Sequence, residues 1–335
     1  MKKFVGPIAI MLCALIVAGV FCGAIIYNRE DNNDDETGTI DETLSSISAD
    51  KAVERPLCVL VIGKDKVSAL ADVIMLITFD KNKKKSCILQ IPRDTYAEYG
   101  SDYFKINGAL KYLGGEGMCD FLEETMGIEI DGYISLDLEG FRVLVDAIGG
   151  VEITVEKALK YSDPAQGLYI DLAAGRQTLD GKQSEMLVRY RSGYARGDLD
   201  RLDIQKRFLA AFFLRVKEKI TPFSVYSIAN KVLPYIETDI DTGELISLCL
   251  NVMVVDSSSV SIATLPGEDA ISQISGASFY VLSAPSAQEL LTEYFLIDED
   301  GFDKSGCFLH PSLENFKKIY QKRIENKVFS VDELK

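Results

Sequence analysis

The sequence predicts an α/β fold, a central mixed β-sheet flanked by helices in α/β/α layers, carried behind an N-terminal transmembrane helix. Three observations predict it. Short, nearly continuous apolar runs at 57–63, 73–79 and 87–91 have the length and composition of strands buried on both faces. Longer segments with helical spacing alternate with these and with further short strand patterns, as layered sheets require. Ahead of them lies an uncharged stretch from Phe4 to Tyr27, which as a helix rising about 1.5 Å per residue spans a hydrocarbon core of roughly 30 Å.

That first stretch sets the expected compartment. Lys2 and Lys3 precede it, whereas Glu30, Asp31, Asp34, Asp35 and Glu36 follow. The positive-inside rule then places the N-terminus in the cytoplasm and the rest outside, as a single-pass protein of the cell membrane. A cleaved leader would have a shorter apolar region, about 7–15 residues, followed by a small-residue cleavage site. Residues 1–28 therefore read as a cytoplasmic stub and membrane anchor. Residues 29–54 read as an acidic linker, with nine acids against two bases between Arg29 and Glu54. A flexible chain of that length reaches on the order of 30 Å, enough to hold a domain near the bilayer while it reorients.

The composition excludes several function classes. The chain has 335 residues, 47% apolar and 26% charged, which is that of a folded protein. Its formal charge of −15 is the wrong sign for a sequence-independent nucleic-acid binder, so no nucleic-acid partner is expected. With His310 the single histidine, a Ser-His-Asp triad has no place outside the C-terminal segment, and no cysteine pair has zinc-site spacing. Cys13 and Cys22 lie in the anchor, leaving Cys58, Cys87, Cys119, Cys249 and Cys307. These read as buried small hydrophobes, with a cross-strand Cys58–Cys87 pair left open.

Residues 55–300 read as one extracytoplasmic α/β domain. Further strands are predicted at 132–136, 151–155, 258–265 and 277–282. Helices are predicted near 107–126, 138–148, 181–188, 198–219, 222–236, 241–253 and 285–296. The Lys81–Lys85 cluster reads as a hairpin tip, and Gly114-Gly115-Glu116-Gly117 as a turn that interrupts a helix. Residues 301–335 read as a basic C-terminal tail, in which Phe316–Lys327 carries five bases against one acid.

Three constellations point to phosphate chemistry. In Ile91-Pro92-Arg93-Asp94-Thr95 an apolar strand ends in a charged pair, the place where open α/β sheets hold ligands. A guanidinium there can grip a phosphate through two parallel hydrogen bonds, and the carboxylate can hold a hard cation. Asp72 abuts the buried run Val73-Ile74-Met75-Leu76 and could complete a metal site with Asp94. The third is Val188-Arg189-Tyr190-Arg191 with Gly197-Asp198, Arg201 and Gln205. If 188–191 is extended, Arg189 and Arg191 face one side. Asp198, Arg201 and Gln205 share a helix face opposite the apolar stripe of Leu202, Leu209, Phe212 and Val216.

Taken in order, these segments resemble the LytR-CpsA-Psr family. The resemblance rests on Asp72-Val73-Ile74-Met75-Leu76, Ile91-Pro92-Arg93-Asp94-Thr95, Lys105-Ile106-Asn107, Gly140-Phe141 and Val145-Asp146-Ala147-Ile148-Gly149-Gly150-Val151. It continues through Leu179-Asp180-Gly181-Lys182-Gln183, Arg189-Tyr190-Arg191, Gly197-Asp198, Arg201, Gln205 and Phe208-Leu209. It covers Leu57 to Phe213 motif by motif and extends more loosely to about residue 297.

The resemblance implies a phosphotransferase that moves an anionic glycopolymer, such as a teichoic acid or capsular polysaccharide, from a polyprenyl-pyrophosphate carrier to peptidoglycan. It implies that Arg93, Arg189, Arg191, Arg201 and Gln205 bind the pyrophosphate, and that Asp72 and Asp94 hold Mg2+. Arg93, Asp94 and Asp198 would be catalytic, Asp198 toward the acceptor hydroxyl, and residues 4–27 would be the membrane partner. Two positions depart from the family pattern: it usually has arginine two residues before Asp72 and immediately before Gln205, where this chain has Leu70 and Ile204. A non-catalytic anchored binder of lipid-linked precursors, and a pyrophosphatase that uses water as acceptor, are the alternatives the sequence leaves open.

Overall fold

The computed structural model describes residues 55–64, 69–80, 82–100, 102–164, 168–190, 198–219, 227–228, 231–240, 255–308 and 314–335. The expected anchor and linker lie outside the described residues, among which no helix is long and apolar enough to cross a membrane. The strands are β1 (Leu57–Lys64), β2 (Ala71–Asp80), β3 (Lys85–Gln90), β4 (Tyr96–Tyr99), β5 (Asp102–Lys105), β6 (Gly132–Leu136), β7 (Val151–Val155) and β8 (Leu159–Asp163). They continue with β9 (Leu168–Leu172), β10 (Gly175–Leu179), β11 (Ile236–Thr238), β12 (Val260–Thr264), β13 (Gly267–Ile271), β14 (Ser278–Leu282) and β15 (Val328–Ser330). The helices are α1 (Ala109–Met126), α2 (Leu138–Ala147), α3 (Gly181–Arg189), α4 (Asp198–Lys219), α5 (Ala284–Phe295) and α6 (Glu314–Gln321).

Seven strands form the central sheet in the order β11-β6-β1-β2-β3-β12-β15. It is mixed: β1 runs parallel to β6 and β3 to β12, while β1–β2, β2–β3, β6–β11 and β12–β15 are antiparallel. Alternation along the strands divides the apolar runs between two cores. Val59, Val61, Val73, Met75 and Ile77 face Phe141, Leu144, Leu187, Phe208 and Phe212 of α2, α3 and α4. Cys58, Leu60, Ile62, Ile74 and Leu76 face Met118, Leu122, Leu290 and Leu291 of α1 and α5. The result is the expected three-layer arrangement.

Several local expectations change. The segment read as a helix over 222–236 ends differently within the described residues. A 3-10 turn at Leu233–Tyr235 contains Pro234, which has no N–H to continue a helical ladder, and Ile236–Thr238 becomes edge strand β11. The glycines at 114–117 kink α1 rather than ending it, with Gly114 at φ 74°. At Gly115 a Cβ would stand 2.3 Å from the Tyr133 ring, so a side chain there would hold α1 off β6. The expected helix at 241–253 lies outside the described residues.

The C-terminal segment, read as a tail, supplies β15 to the sheet and buries Val331 in the core. Phe316 of α6 packs edge-on against Tyr96 and Phe279. The cysteine expectation holds for three of the five: Cys307 is only half-buried and Cys249 lies outside the described residues. Cys58 and Cys87 both lie opposite Thr78, so β2 separates them, and Cys58, Cys87 and Cys119 are free, buried thiols. Two strand spacings of about 4.8 Å exceed the roughly 7 Å limit between the Cα atoms of a disulfide. Burial pushes all three thiols up, Cys119 to about 12.

Candidate active site

The strand register brings the first two constellations together. Met75 lies opposite Gln90, and continuing that antiparallel register three residues outward places Asp72 across from Arg93. There the Arg93 Nη1 donates to Asp72 Oδ1 at 2.7 Å, with the two side chains 4% and 7% exposed. Backbone hydrogen bonds fix the turn that follows β3. Thr95 N donates to Pro92 O, Asn107 N to Arg93 O, and Tyr280 N to Asp94 O. Asp94 stands at the outer rim, its Oδ1 3.1 Å from Lys105 Nζ and 4.0 Å from Arg93 Nε. Lys105 and Asn107, part of one quoted motif, thus serve the loop that carries Arg93.

The second half of the site is built by α3 and α4. Asp180 caps α3 by accepting from Gln183 N, and the Gln183 side chain accepts in return from Asp180 N, a reciprocal cap. Asp146 accepts from Gly181 N at 2.8 Å, while Arg215 donates to the carbonyls of Gly149 and Gly150. The motifs around 145–151 and 179–183 therefore brace the start of the helix that ends at Arg189.

Here the structure corrects the sequence reading. Residues 181–189 are helical through Arg189, and only Tyr190 turns extended, at φ −65° and ψ 131°. Arg189 therefore lies on a helix and not on a strand, and Arg191 lies outside the described residues. Arg189 also has an acidic partner, Glu185, one turn earlier at 2.6 Å. Glu185 in turn accepts from Arg142 Nε.

Gln205, fully buried on α4, donates from Nε2 to Val188 O at 3.5 Å. It joins the two halves. A small crevice is lined by Asp72, Val73, Ile74, Met75, Gln90, Ile91, Arg93, Leu202 and Gln205. Of the lining residues, Gln90 Nε2 and Gln205 Oε1 are buried without a hydrogen-bond partner among the described residues, and so are Nε and Nη2 of Arg189, the residue after Val188. Leaving such atoms unmet costs about 1–3 kcal/mol each, and a polar ligand there could satisfy them. Asp198 and Arg201 occupy the first turn of α4, but their side chains lie outside the described residues.

The two departures from the family pattern have structural consequences. Leu70 is half-buried just ahead of β2. Ile204 packs on the core and lines an apolar groove with Ile153, Val155, Leu159 and Leu187. Among the described residues no group of three His, Cys, Asp or Glu side chains could hold a metal ion by itself. Asp72 and Asp94 suit Mg2+ only as one or two carboxylates that share it with phosphate oxygens and water.

Sequence reasoning missed Gln90, Arg142 and Glu185, and it quoted Lys105 in a motif without giving it a role. The signal for Glu185 was its helical spacing of four from Arg189. None was available for Arg142, 43 residues away.

Comparison with known proteins places this geometry. The chain is 30% identical over 307 residues to the polyisoprenyl-teichoic acid–peptidoglycan teichoic acid transferase TagU of Oceanobacillus iheyensis, covering 84% of this chain and 89% of that one. Its fold is similar to the crystal structure of B. subtilis TagV, with a TM-score of 0.62 and 24% identity over 73% of this chain and 98% of that chain. It is also similar to TagT bound to LI-WTA, with a TM-score of 0.59 and 24% identity over 73% of this chain and 92% of that one. The model of the LytR_cpsA_psr family matches residues 23–295, and the chain belongs to that family.

Proposed function

We propose that the chain is a membrane-anchored glycopolymer phosphotransferase. In this reading it transfers an anionic polymer from a polyprenyl-pyrophosphate carrier to a hydroxyl of peptidoglycan. The observation that carries the reading is the crevice beyond β3 lined by buried Asp72, Arg93 and Gln205, with Gln205 tied to Val188 O next to buried Arg189, whose Nε and Nη2 have no partner among the described residues. The relative TagU, whose name gives a teichoic acid and peptidoglycan, supports the substrate class.

Arg93, Arg189, Arg191, Arg201 and Gln205 hold the pyrophosphate, where positioning and charge neutralisation lower the barrier to phosphoryl transfer. The acceptor oxygen forms a bond to the phosphorus nearer the sugar. The bond from that phosphorus to the bridging oxygen breaks, and polyprenyl monophosphate leaves. Asp198 takes the acceptor's proton, and Asp94 with Arg93 sets the geometry at the rim. Mg2+, held by Asp72 and Asp94 together with phosphate oxygens, would supply further neutralisation of the pyrophosphate. Residues 4–27 anchor the chain and keep residues 55–300 outside the cell.

The test incubates the purified full chain with a synthetic polyprenyl-pyrophosphate saccharide and a peptidoglycan oligomer, with and without Mg2+, and follows products by mass spectrometry. A phosphodiester-linked adduct that requires Mg2+ is expected. Free saccharide phosphate as the sole product would show a hydrolase, and unchanged substrate retained on the protein would show a binder.

A further inference from the structure

Helices α2 and α3 touch where Gly181 meets Arg142. A Cβ at Gly181 would lie 2.3 Å from the Arg142 carbonyl oxygen, so glycine permits an approach that any other residue would prevent. Glu185 is one turn further along α3. It is 3% exposed, and its two oxygens are divided: Oε1 accepts from Arg189 Nη1 at 2.6 Å, and Oε2 accepts from Arg142 Nε. The shared carboxylate raises the Arg142 guanidinium above its ordinary value. Arg142 is 46% exposed in its side chain, whereas Arg189 is 7% exposed and keeps Nε and Nη2 without a partner among the described residues.

This arrangement has a specific consequence for Arg189. An arginine side chain ordinarily loses rotamer freedom when it is fixed on a ligand. Glu185 fixes it beforehand, and through Nη1 alone, so that one edge of the fork remains for a phosphate. Two cations on one carboxylate leave a net positive charge, so the anchor does not cancel the attraction for an anion.

We propose that Glu185, itself held by Arg142, is a positioning residue that presents Arg189 to the pyrophosphate of the donor. The inference rests on the reading above that Arg189 binds that group. It assigns to Glu185 a role opposite to its charge: a buried carboxylate near an anion site weakens anion binding by repulsion, yet here it strengthens binding by orientation.

Glu185→Gln separates the two effects. It removes the negative charge and keeps an oxygen that can accept from Arg189, but it turns an N–H group toward Arg142 Nε, another donor, so the anchor loosens. The experiment is calorimetric titration of inorganic pyrophosphate into the purified full chain in Mg2+ buffer, with thermal unfolding and near-UV circular dichroism of each variant as the measure of folding. Glu185→Leu and Arg189→Ala should each weaken binding about tenfold, because loss of a hydrogen bond to a charged group is worth about one decade or more. Glu185→Gln should weaken it by roughly threefold, a fraction of that same contact. Unchanged or tighter binding by Glu185→Gln, with Arg189→Ala weakened, would overturn the positioning role and leave the pyrophosphate site standing. Unchanged binding by Arg189→Ala would overturn the site reading and this inference with it. Should Glu185→Leu fail to fold, Glu185→Gln alone decides.

Discussion

Arg93 and Arg189 are similarly buried, 5% and 9% exposed, but they are held by different parts of the architecture. Arg93 sits on a turn between sheet strands and meets Asp72 through the register of β2 and β3. Arg189 ends a nine-residue helix and meets Glu185 through helical spacing, and Glu185 is shared with Arg142 on a neighbouring helix. The first pair is fixed by many backbone hydrogen bonds, and the second depends on how α3 is capped and how closely it approaches α2. Desolvating two charges is repaid only by good geometry, so each half of the site is as strong as the scaffold that holds its pair.

The largest effect should come from breaking the sheet-borne pair. Asp72→Ala leaves the Arg93 cation buried beside an alanine and should cost about 3–5 kcal/mol, read as a fall in the urea midpoint. Asp72→Asn keeps an acceptor and should cost less. Next comes the helix-borne half, where Gly181→Ala forces a Cβ onto the Arg142 backbone. Backbone cannot step aside as a side chain can, so a loss of about 1–3 kcal/mol is expected, accompanied by weaker pyrophosphate binding in the same titration.

Removing the reciprocal cap with Asp180→Ala should cost about 1 kcal/mol and fray the start of α3. If the comparison is right, that small loss lowers pyrophosphate affinity more than an equal loss of stability elsewhere does. The control is Arg55→Ala, which removes a pair with Asp131 at the domain edge, 2.8 Å apart and partly exposed. It should change the midpoint by less than about 1 kcal/mol and leave binding unaltered.

The two halves also differ in how far the sequence discloses them. The apolar runs, their order and the Pro92-Arg93-Asp94 turn locate the sheet-borne half. The meeting of Asp72 with Arg93 follows once β2 and β3 are paired through the hairpin tip at residues 82–84. The helix-borne half is harder to read because Val188 and Tyr190 favour strands, which draws 188–191 into an extended reading. The opposing signal is the cap formed by Asp180 and Gln183, which starts a helix whose periodicity reaches Arg189.

Pairings between distant segments leave no periodic trace. Arg142 with Glu185 is one case, and the three-residue edge strands β11 and β15 are another, being too short to show alternation. The strands of the minor hairpins β4–β5 and β8–β9, and β13 of the third, escape the reading for the same reason, being four or five residues long, whereas β14 matches the strand predicted at 277–282. The family motifs then acquire separate meanings. Those near 72, 93 and 189 carry charge to the crevice, whereas those near 145–151 and 179–183 hold the helix that delivers Arg189.

Phosphorus NMR of the purified full chain with a polyprenyl-pyrophosphate saccharide, a peptidoglycan oligomer and Mg2+ tests the central claim most directly, run beside Arg189→Ala. The expected result is one new phosphodiester for each polyprenyl monophosphate released, with both signals lost in the variant. Release of monophosphate without a phosphodiester, or undiminished turnover in Arg189→Ala, would contradict it.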